Sequence, residues 1–407
     1  MNMKKKALAV FGIAAASALV LSGCSASDGG SDSAATGEPI VIAAVYDGNF
    51  FPEAPPAAQA VFDEYNAAGG FNGRPIQLDT YDEKTDPATS ATATKDALDS
   101  GAIAFVGSSS LMNCAVNNQT WSDNNIVSIQ GTGVDPFCFS TPNVAAANTG
   151  PFYDTTASLY NGSEVLGYKA ICGLFVPDDA VGKAAYEQAV ANWSEATGEK
   201  LALADYSLTR GMTSYAANVA ALKSANCDAV FINEVGAADA AILAEMTNQG
   251  IVLPALLLTS AYSDQFAQSV NYGAQITLPA EFAPYTDAKD ENCVEWRALM
   301  EANGIAATSF AQGGYLAAQY FIAILETIEG DVTRDAFTEA AKAYTTPYAG
   351  TGAGMAGSPW TFGPEDSHQP NAASWMMHIE PNTQAWVSDG PWLLGSDMGW
   401  KNTTIAG

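Results

Sequence analysis

The sequence predicts an α/β protein of two successive units, each a parallel sheet covered by helices. Short β-branched runs alternate with longer stretches of helical period from residue 38 onward. Several of the short runs, IAFVG and ALLLT among them, are apolar on successive residues, as strands covered on both faces are. The alternation divides near residues 143–151 (NVAAANTGP), leaving strand and helix segments on each side that build their own cores.

Strands are expected at 40–46, 76–82, 103–107 and 126–130, then at 170–176, 201–206, 229–233 and 255–259, most of them short runs rich in Ile, Val and other strand-forming residues. Helices fill the gaps at 57–68, 88–98, 182–196, 214–224 and 237–249. A further strand, QITLP at 275–279, precedes a helix at 310–328 whose residues Phe310, Ala317, Phe321, Ile324 and Ile328 form a helical stripe. The chain then changes character: 375–380 (WMMHIE) and 384–388 read as a hairpin around Pro381 and Asn382.

With 407 residues, of which 48% are hydrophobic, the chain has the length and the apolar content for two or three packed units and is not disordered. Its formal charge of −28 turns away nucleic acid and anionic lipid as partners. Lys4, Lys5 and Lys6, the apolar run 7–21 and then Leu21-Ser22-Gly23-Cys24 make an export signal over residues 1–23. The apolar run is shorter than the ~20 residues a spanning helix needs. The Leu-Ser-Gly-Cys box resembles the bacterial lipoprotein box, which implies lipidation at Cys24 and an extracytoplasmic, membrane-anchored body. Residues 24–37 then form a flexible Gly/Ser/Asp tether, with a reach of roughly 20 Å.

Enzyme chemistry finds little support. There is no Gly-x-Ser-x-Gly, and the two histidines, His368 and His378, read as ordinary surface or strand residues. The sequence 352–357 (GAGMAG) fits Gly-x-Gly-x-x-Gly, but no strand precedes it and Pro359 follows, so it reads as a loop. The paired acids Asp178 and Asp179 read as solvated. No C-x-x-C pair exists to hold zinc, and Cys172 and Cys227, in or beside apolar runs, read as buried free thiols. No catalytic residue, metal or cofactor is expected. Two strand ends suit a ligand instead. Residues 103–107 lead into Ser108, Ser109 and Ser110 before a helix, where hydroxyls and free N–H groups converge. The next strand leads into Gln130-Gly131-Thr132-Gly133, whose glycines allow close backbone approach.

Residues 66–76 (NAAGGFNGRPI) and 81–87 (YDEKTDP) resemble a pattern of the type I solute-binding proteins of ABC importers, in the leucine/isoleucine/valine-binding branch. The resemblance extends to 106–110 (VGSSS), 175–182 (FVPDDAVG), 228–231 (DAVF) and 314–318 (GYLAA). It implies a type I periplasmic-binding-protein fold of two lobes joined by three crossovers, with a solute gripped between them. Lobe one would be 38–147 with 278–360, and lobe two 148–277 with 361–407. Ser109 or Ser110, with Thr132 and Gly133, match the positions that hold a ligand carboxylate. The second-lobe tyrosine falls at Val235 or Gly236 and the amine-pairing acid near Thr259, so Glu234 and Tyr262 are the nearby substitutes. Asp179, in the second-lobe opening, joins the candidates. Tyr46, Phe50 and Phe51 place aromatics in a loop that faces the cleft, which suits a larger or aromatic ligand.

The resemblance implies a monomeric binding protein that delivers a small amino-acid-like, amide or carboxylate solute to a membrane permease driven by a cytoplasmic ATPase. Feeding a membrane signal receptor is the alternative. Because Cys114 and Cys138 flank the cleft loops and the compartment is oxidising, a disulfide between them is expected.

Overall fold

The computed structural model describes residues 34–287, 290–365 and 368–401; Cys24 and the expected export signal lie outside them, as does the expected tether up to residue 33. Among the described residues, no helix is long and apolar enough to cross a membrane.

The first sheet has five parallel strands in the order β2-β1-β3-β4-β5. They are β1 (Ile40–Tyr46), β2 (Ile76–Asp82), β3 (Phe105–Ser109), β4 (Ser128–Thr132) and β5 (Val144–Ala146). The helices between them are α1 (Ala54–Ala67), α2 (Pro87–Asp99), α3 (Asn113–Asp123) and the short α4 (Phe137–Ser140). A crossover leads through α5 (Pro151–Tyr160) into the second sheet. Its elements are β6 (Ile171–Leu174), α6 (Ala180–Thr197), β7 (Leu203–Asp205), α7 (Ala216–Ala225), β8 (Ala229–Ile232), α8 (Gly236–Asn248), β9 (Ala255–Leu256), α9 (Asp264–Ser269) and β10 (Ile276–Ala280). The chain then returns to the first sheet with α10 (Val294–Ala302), α11 (Ser309–Leu325) and α12 (Arg334–Ala343), and ends in β11 (Ala373–Glu380) and β12 (Ala385–Leu394). The second sheet runs β12-β11-β10-β9-β8-β6-β7, parallel except that β11 pairs antiparallel with both β10 and β12.

Successive strand residues do enter cores on opposite sheet faces. Ile40, Ile42 and Ala44 of β1 join Phe62 and Phe321 on one side, while Ala43 and Val45 join Phe105 and Trp121 on the other. Strand β8 repeats this, with Val230 and Ile232 on one face and Ala229 and Phe231 on the other. An apolar run with no polar alternation therefore reports a strand sandwiched between helices.

Helix α11 fixes much of the site. Thr308 caps it by accepting from the Ala311 N–H at 3.1 Å. At its start, a Cβ on Gly313 would lie 2.2 Å from the Gly131 carbonyl oxygen, and one on Gly314 would lie 2.1 Å from that of Ala54. Backbone can touch backbone only because these residues have no side chain. The contact sets Phe310 beside the end of β4.

Four expectations shift. The 277/278 boundary falls inside β10, which pairs through Ala280 with the second sheet, so this crossover begins at Glu281. Trp360 donates from Nε1 to the Ala146 carbonyl at 3.2 Å, and His368 packs on Phe362 at 4.8 Å, so the chain stays with the first sheet beyond residue 361. Strands β3 and β4 begin two residues later than expected, which brings Ser109 and Thr132 into the ladder itself. Cys172 and Cys227 are joined in a disulfide rather than free, because Cys172 in β6 and Cys227 just before β8 face each other across paired strands, with Cα atoms 5.7 Å apart.

Candidate functional site

A cavity of about 440 Å³ lies where the carboxyl ends of the parallel strands of both sheets meet. From the first sheet it takes Asn49, Phe50 and Phe51 after β1, Leu111 after β3, and Thr132 and Gly133 at the end of β4. From the second it takes Arg210 after β7, residues 233–237 after β8 and residues 258–260 after β9. The crossovers contribute Asn148, Pro151, Asp154 and Glu281, and α11 contributes Phe310.

One wall is aromatic. The Asp47 carbonyl accepts from the N–H groups of Phe50 and Phe51 at 3.2 and 2.9 Å, and the Asp47 carboxylate accepts from Thr85 at 2.6 Å, which folds the loop inward. Phe51 is buried and meets Phe310 edge to face at 4.8 Å, while Phe50 stays partly exposed. Tyr46, at the end of β1, does not reach this wall; its neighbours are Asp82 and Glu83, and its carbonyl accepts from the Glu83 N–H at 2.8 Å.

The serines are engaged within the fold. Ser110 donates to the buried Glu83 carboxylate and accepts from the N–H groups of Met112 and Asn113, both at 2.9 Å, at the start of α3. Ser109 is fully buried, and its carbonyl anchors the Asp47 N–H at 3.0 Å. Neither lines the cavity; a strand end rich in hydroxyls here serves capping and loop anchoring. Thr132 does line it, and its hydroxyl has no partner. Gly133 beside it donates to Asn148 Oδ1 at 2.8 Å. Cys114 and Cys138 form a disulfide beneath this turn, and a Cβ on Gly133 would lie 2.9 Å from Cys138 Cβ. These cysteines and Asp135 cluster like metal ligands, but sulfurs joined to each other are not thiolates.

On the opposite side, Glu234 is buried, with Oε2 accepting from the Val235 N–H at 3.1 Å and lying 3.8 Å from Arg210 Nη1. Its Oε1 has no partner. Burial pushes the Glu234 carboxyl above its ordinary range, and Arg210 opposes that rise. Arg210 itself grips Asp178 through Nε at 3.0 Å and Nη2 at 2.5 Å; Asp178 is solvent-exposed, as expected, and also paired. Asp179 points elsewhere and caps α6, accepting from the Gly182 N–H at 2.7 Å. Thr259 lines the cavity, whereas Tyr262 is packed on Tyr285 and Trp386 and bonded to Thr286 at 2.8 Å, outside it.

Sequence reasoning missed Arg210, Phe310, Asp154 and Glu281. The last two are fully desolvated acids in the crossovers. Glu281 accepts through Oε1 from Asn148 Nδ2 at 2.7 Å and the Gly150 N–H at 3.0 Å, while its carbonyl accepts from Asn371 Nδ2 at 2.9 Å. All three crossovers therefore meet at one residue. Asp154 accepts through Oδ1 from Thr149 at 2.8 Å and Ser374 at 2.9 Å. Burial pushes the Glu281 carboxyl up to about 7; burial and then the neighbouring Glu281 raise Asp154 well above its usual range. The signal in the sequence was an acid inside each of two apolar stretches, PFYDTTASLY and ITLPAEFAPY.

The cavity has the volume to hold a small molecule and offers it aromatic area and polar oxygens. It contains no nucleophile set against a base. Solved structures share the architecture. A leucine-binding protein, LivK, from Thermotoga maritima matches at TM-score 0.71 and 14% identity, over 88% of this chain and 99% of that one. The branched-chain amino acid transporter substrate-binding protein LivJ from Streptococcus pneumoniae, in complex with isoleucine, matches at 0.71 and 16%, over 88% and 100%. A fatty acid ABC transporter substrate-binding protein from Thermomonospora curvata matches at 0.71 and 17%, over 90% and 95%. The solutes for which they are named differ, so at these identities the likeness speaks for the fold and not for the solute. No curated protein matches. A family model described as periplasmic binding protein matches residues 45–385, and the chain therefore belongs to that family of ligand-binding, non-enzymatic proteins.

Proposed function

We propose that this chain is the extracytoplasmic solute-binding subunit of an ABC importer, capturing a small amino-acid-like, amide or carboxylate solute between two lobes and handing it to a permease. The observation that carries the reading is the cavity of about 440 Å³ between the strand ends of two sheets, with an aromatic wall and unpartnered polar oxygens. In this reading Phe50, Phe51, Thr132, Gly133, Glu234 and Thr259 touch the solute. Ser109 and Ser110 act one step back, by holding the loops. The lobes close about crossovers near residues 147–151, 281 and 369–372, and Cys24 carries the lipid anchor.

A thermal-shift screen of amino acids, amides and organic acids tests the reading, because a ligand bound only by the native state raises the melting temperature. Stabilisation by a small solute at micromolar concentration, with a smaller radius of gyration in solution scattering, is the expected result. If a broad panel of solutes leaves melting unchanged, solute capture is not what the cavity does. Mass spectrometry of the mature protein from cells checks the anchor: a diacylglyceryl group on Cys24 is expected, and an unmodified Cys24 contradicts it.

A further inference from the structure

We infer that the crossover side of the cavity, built by Thr132, Asp154 and Glu281, is a cation subsite, and that the solute presents a protonated amine or guanidine group to it. The inference deepens the solute-capture reading and rests on it.

Asp154 and Glu281 both line the cavity and are 0% and 2% exposed. Each carboxylate has one oxygen satisfied by the fold and one that is not. Asp154 Oδ1 is held by Thr149 and Ser374, and Glu281 Oε1 by Asn148 and the Gly150 N–H. Asp154 Oδ2 and Glu281 Oε2 have no partner, and neither does Thr132 Oγ1. A buried polar atom left without a partner costs free energy, so three of them on the lining of one cavity mark a place where a ligand completes the bonding.

The chemistry of that ligand follows from what is missing. The unpartnered atoms are two carboxylate oxygens and one hydroxyl, so the shortage is of donors. An ammonium brings three donors and no acceptor, and a guanidinium brings five; a carboxylate brings only acceptors and would meet two acids. Arg210, the cationic side chain of the lining, is already committed to Asp178 and faces Glu234, so it does not neutralise this pair.

In the empty protein, a proton stands in for the cation. Burial and mutual repulsion favour the protonated carboxyl, and the charged or titratable groups around the pair are the two acids themselves, Tyr153 beside Asp154, and Glu234, Arg210 and Tyr186 elsewhere on the lining. An arriving cation displaces that proton into solvent. Solute binding is thereby coupled to the residue at which the three crossovers meet.

Paired probes test this: leucine, phenylalanine, arginine, agmatine, 1,4-diaminobutane and choline, set against the amine-free 4-methylpentanoate, 3-phenylpropanoate and 3-phenylpropanamide. Thermal shift selects binders, and calorimetry near pH 6.5 in two buffers of different ionisation enthalpy counts protons. The expected binder carries a charged nitrogen, binds roughly 10- to 100-fold more tightly than its amine-free counterpart, and releases up to one proton. The Asp154→Asn/Glu281→Gln double variant should lose a similar factor and the proton release. If the double variant melts well below the parent, Asp154→Asn alone carries the same comparison. Binding of amine-free probes only, or amine binding that the variants leave unchanged, overturns the subsite while solute capture stands. No stabilisation by any probe counts against both.

Discussion

Replacing Glu281 by alanine should damage the protein far more than replacing it by glutamine, because the oxygen matters to folding and the charge does not. Alanine strands two buried donors, Asn148 Nδ2 and the Gly150 N–H, now 2.7 and 3.0 Å from Oε1. At about 1–3 kcal/mol for each buried donor left unpaired, less the relief of a desolvated acid, the loss should be about 2–5 kcal/mol. Glutamine keeps the acceptor, and its amide faces the unpartnered side, so its cost should stay within about 1 kcal/mol. Urea unfolding followed by tryptophan fluorescence reads the difference as a shift in midpoint at constant slope. An alanine variant as stable as the glutamine variant would show that neither donor depends on the Glu281 oxygen.

The same residue sets a pH dependence: the Glu281 carboxyl, ordinarily near 4.5, sits at about 7 when folded, so between those values the folded chain binds more protons than the unfolded one. Stability of the empty protein should therefore fall as pH rises from 5 toward 7.5, and Glu281→Gln should flatten that slope in melting curves. Breaking the disulfides should cost about 3.5 kcal/mol for Cys114–Cys138 and about 4 kcal/mol for Cys172–Cys227, from closed loops of 24 and 55 residues; unfolding with and without reductant checks both. Phe51→Ala should lose about 3–5 kcal/mol of stability, since its buried ring packs on Phe310, whereas Phe50→Ala, partly exposed, should weaken solute binding and leave melting nearly unchanged. Thr132→Ala should weaken solute binding about 10-fold in calorimetry without unfolding the protein, because no protein group depends on its hydroxyl.

The central strands were legible because they are sandwiched and so apolar without interruption, as β1 is at 40–46; β2 also lies at 76–82 as read, although IQLDTYD is an edge strand with exposed polar residues. Helix α5 escaped notice because PFYDTTASLY is buried almost all round and has no polar face to give a period. Short strands lost residues at their ends: 255–259 reads as one apolar run, yet only Ala255 and Leu256 pair, since the backbone then turns into the cavity wall. In the site, the loops were legible and the side chains less so. Phe50, Phe51, Thr132, Gly133, Glu234 and Thr259 do line one cavity, whereas Ser109 and Ser110 resemble ligand contacts in sequence and are taken up by Asp47, Glu83 and the start of α3. Hydroxyls at a strand end suit a bound acceptor and a capped helix equally, and only the partner in space distinguishes them. Arg210 and Glu281 come from loops far apart in the chain, and no local pattern says that such loops converge.

The claim on which the rest depends is that solute binds between the two sheets, and blocking that space tests it most directly. Ala237 lines the cavity in the first turn of α8, and its side chain is exposed, so Ala237→Trp adds an indole there without disturbing a core. Titration calorimetry with a solute found by screening should give one site per parent molecule and no detectable binding to Ala237→Trp, with the two proteins melting alike. Equal affinity in parent and variant would place the solute elsewhere and contradict the account.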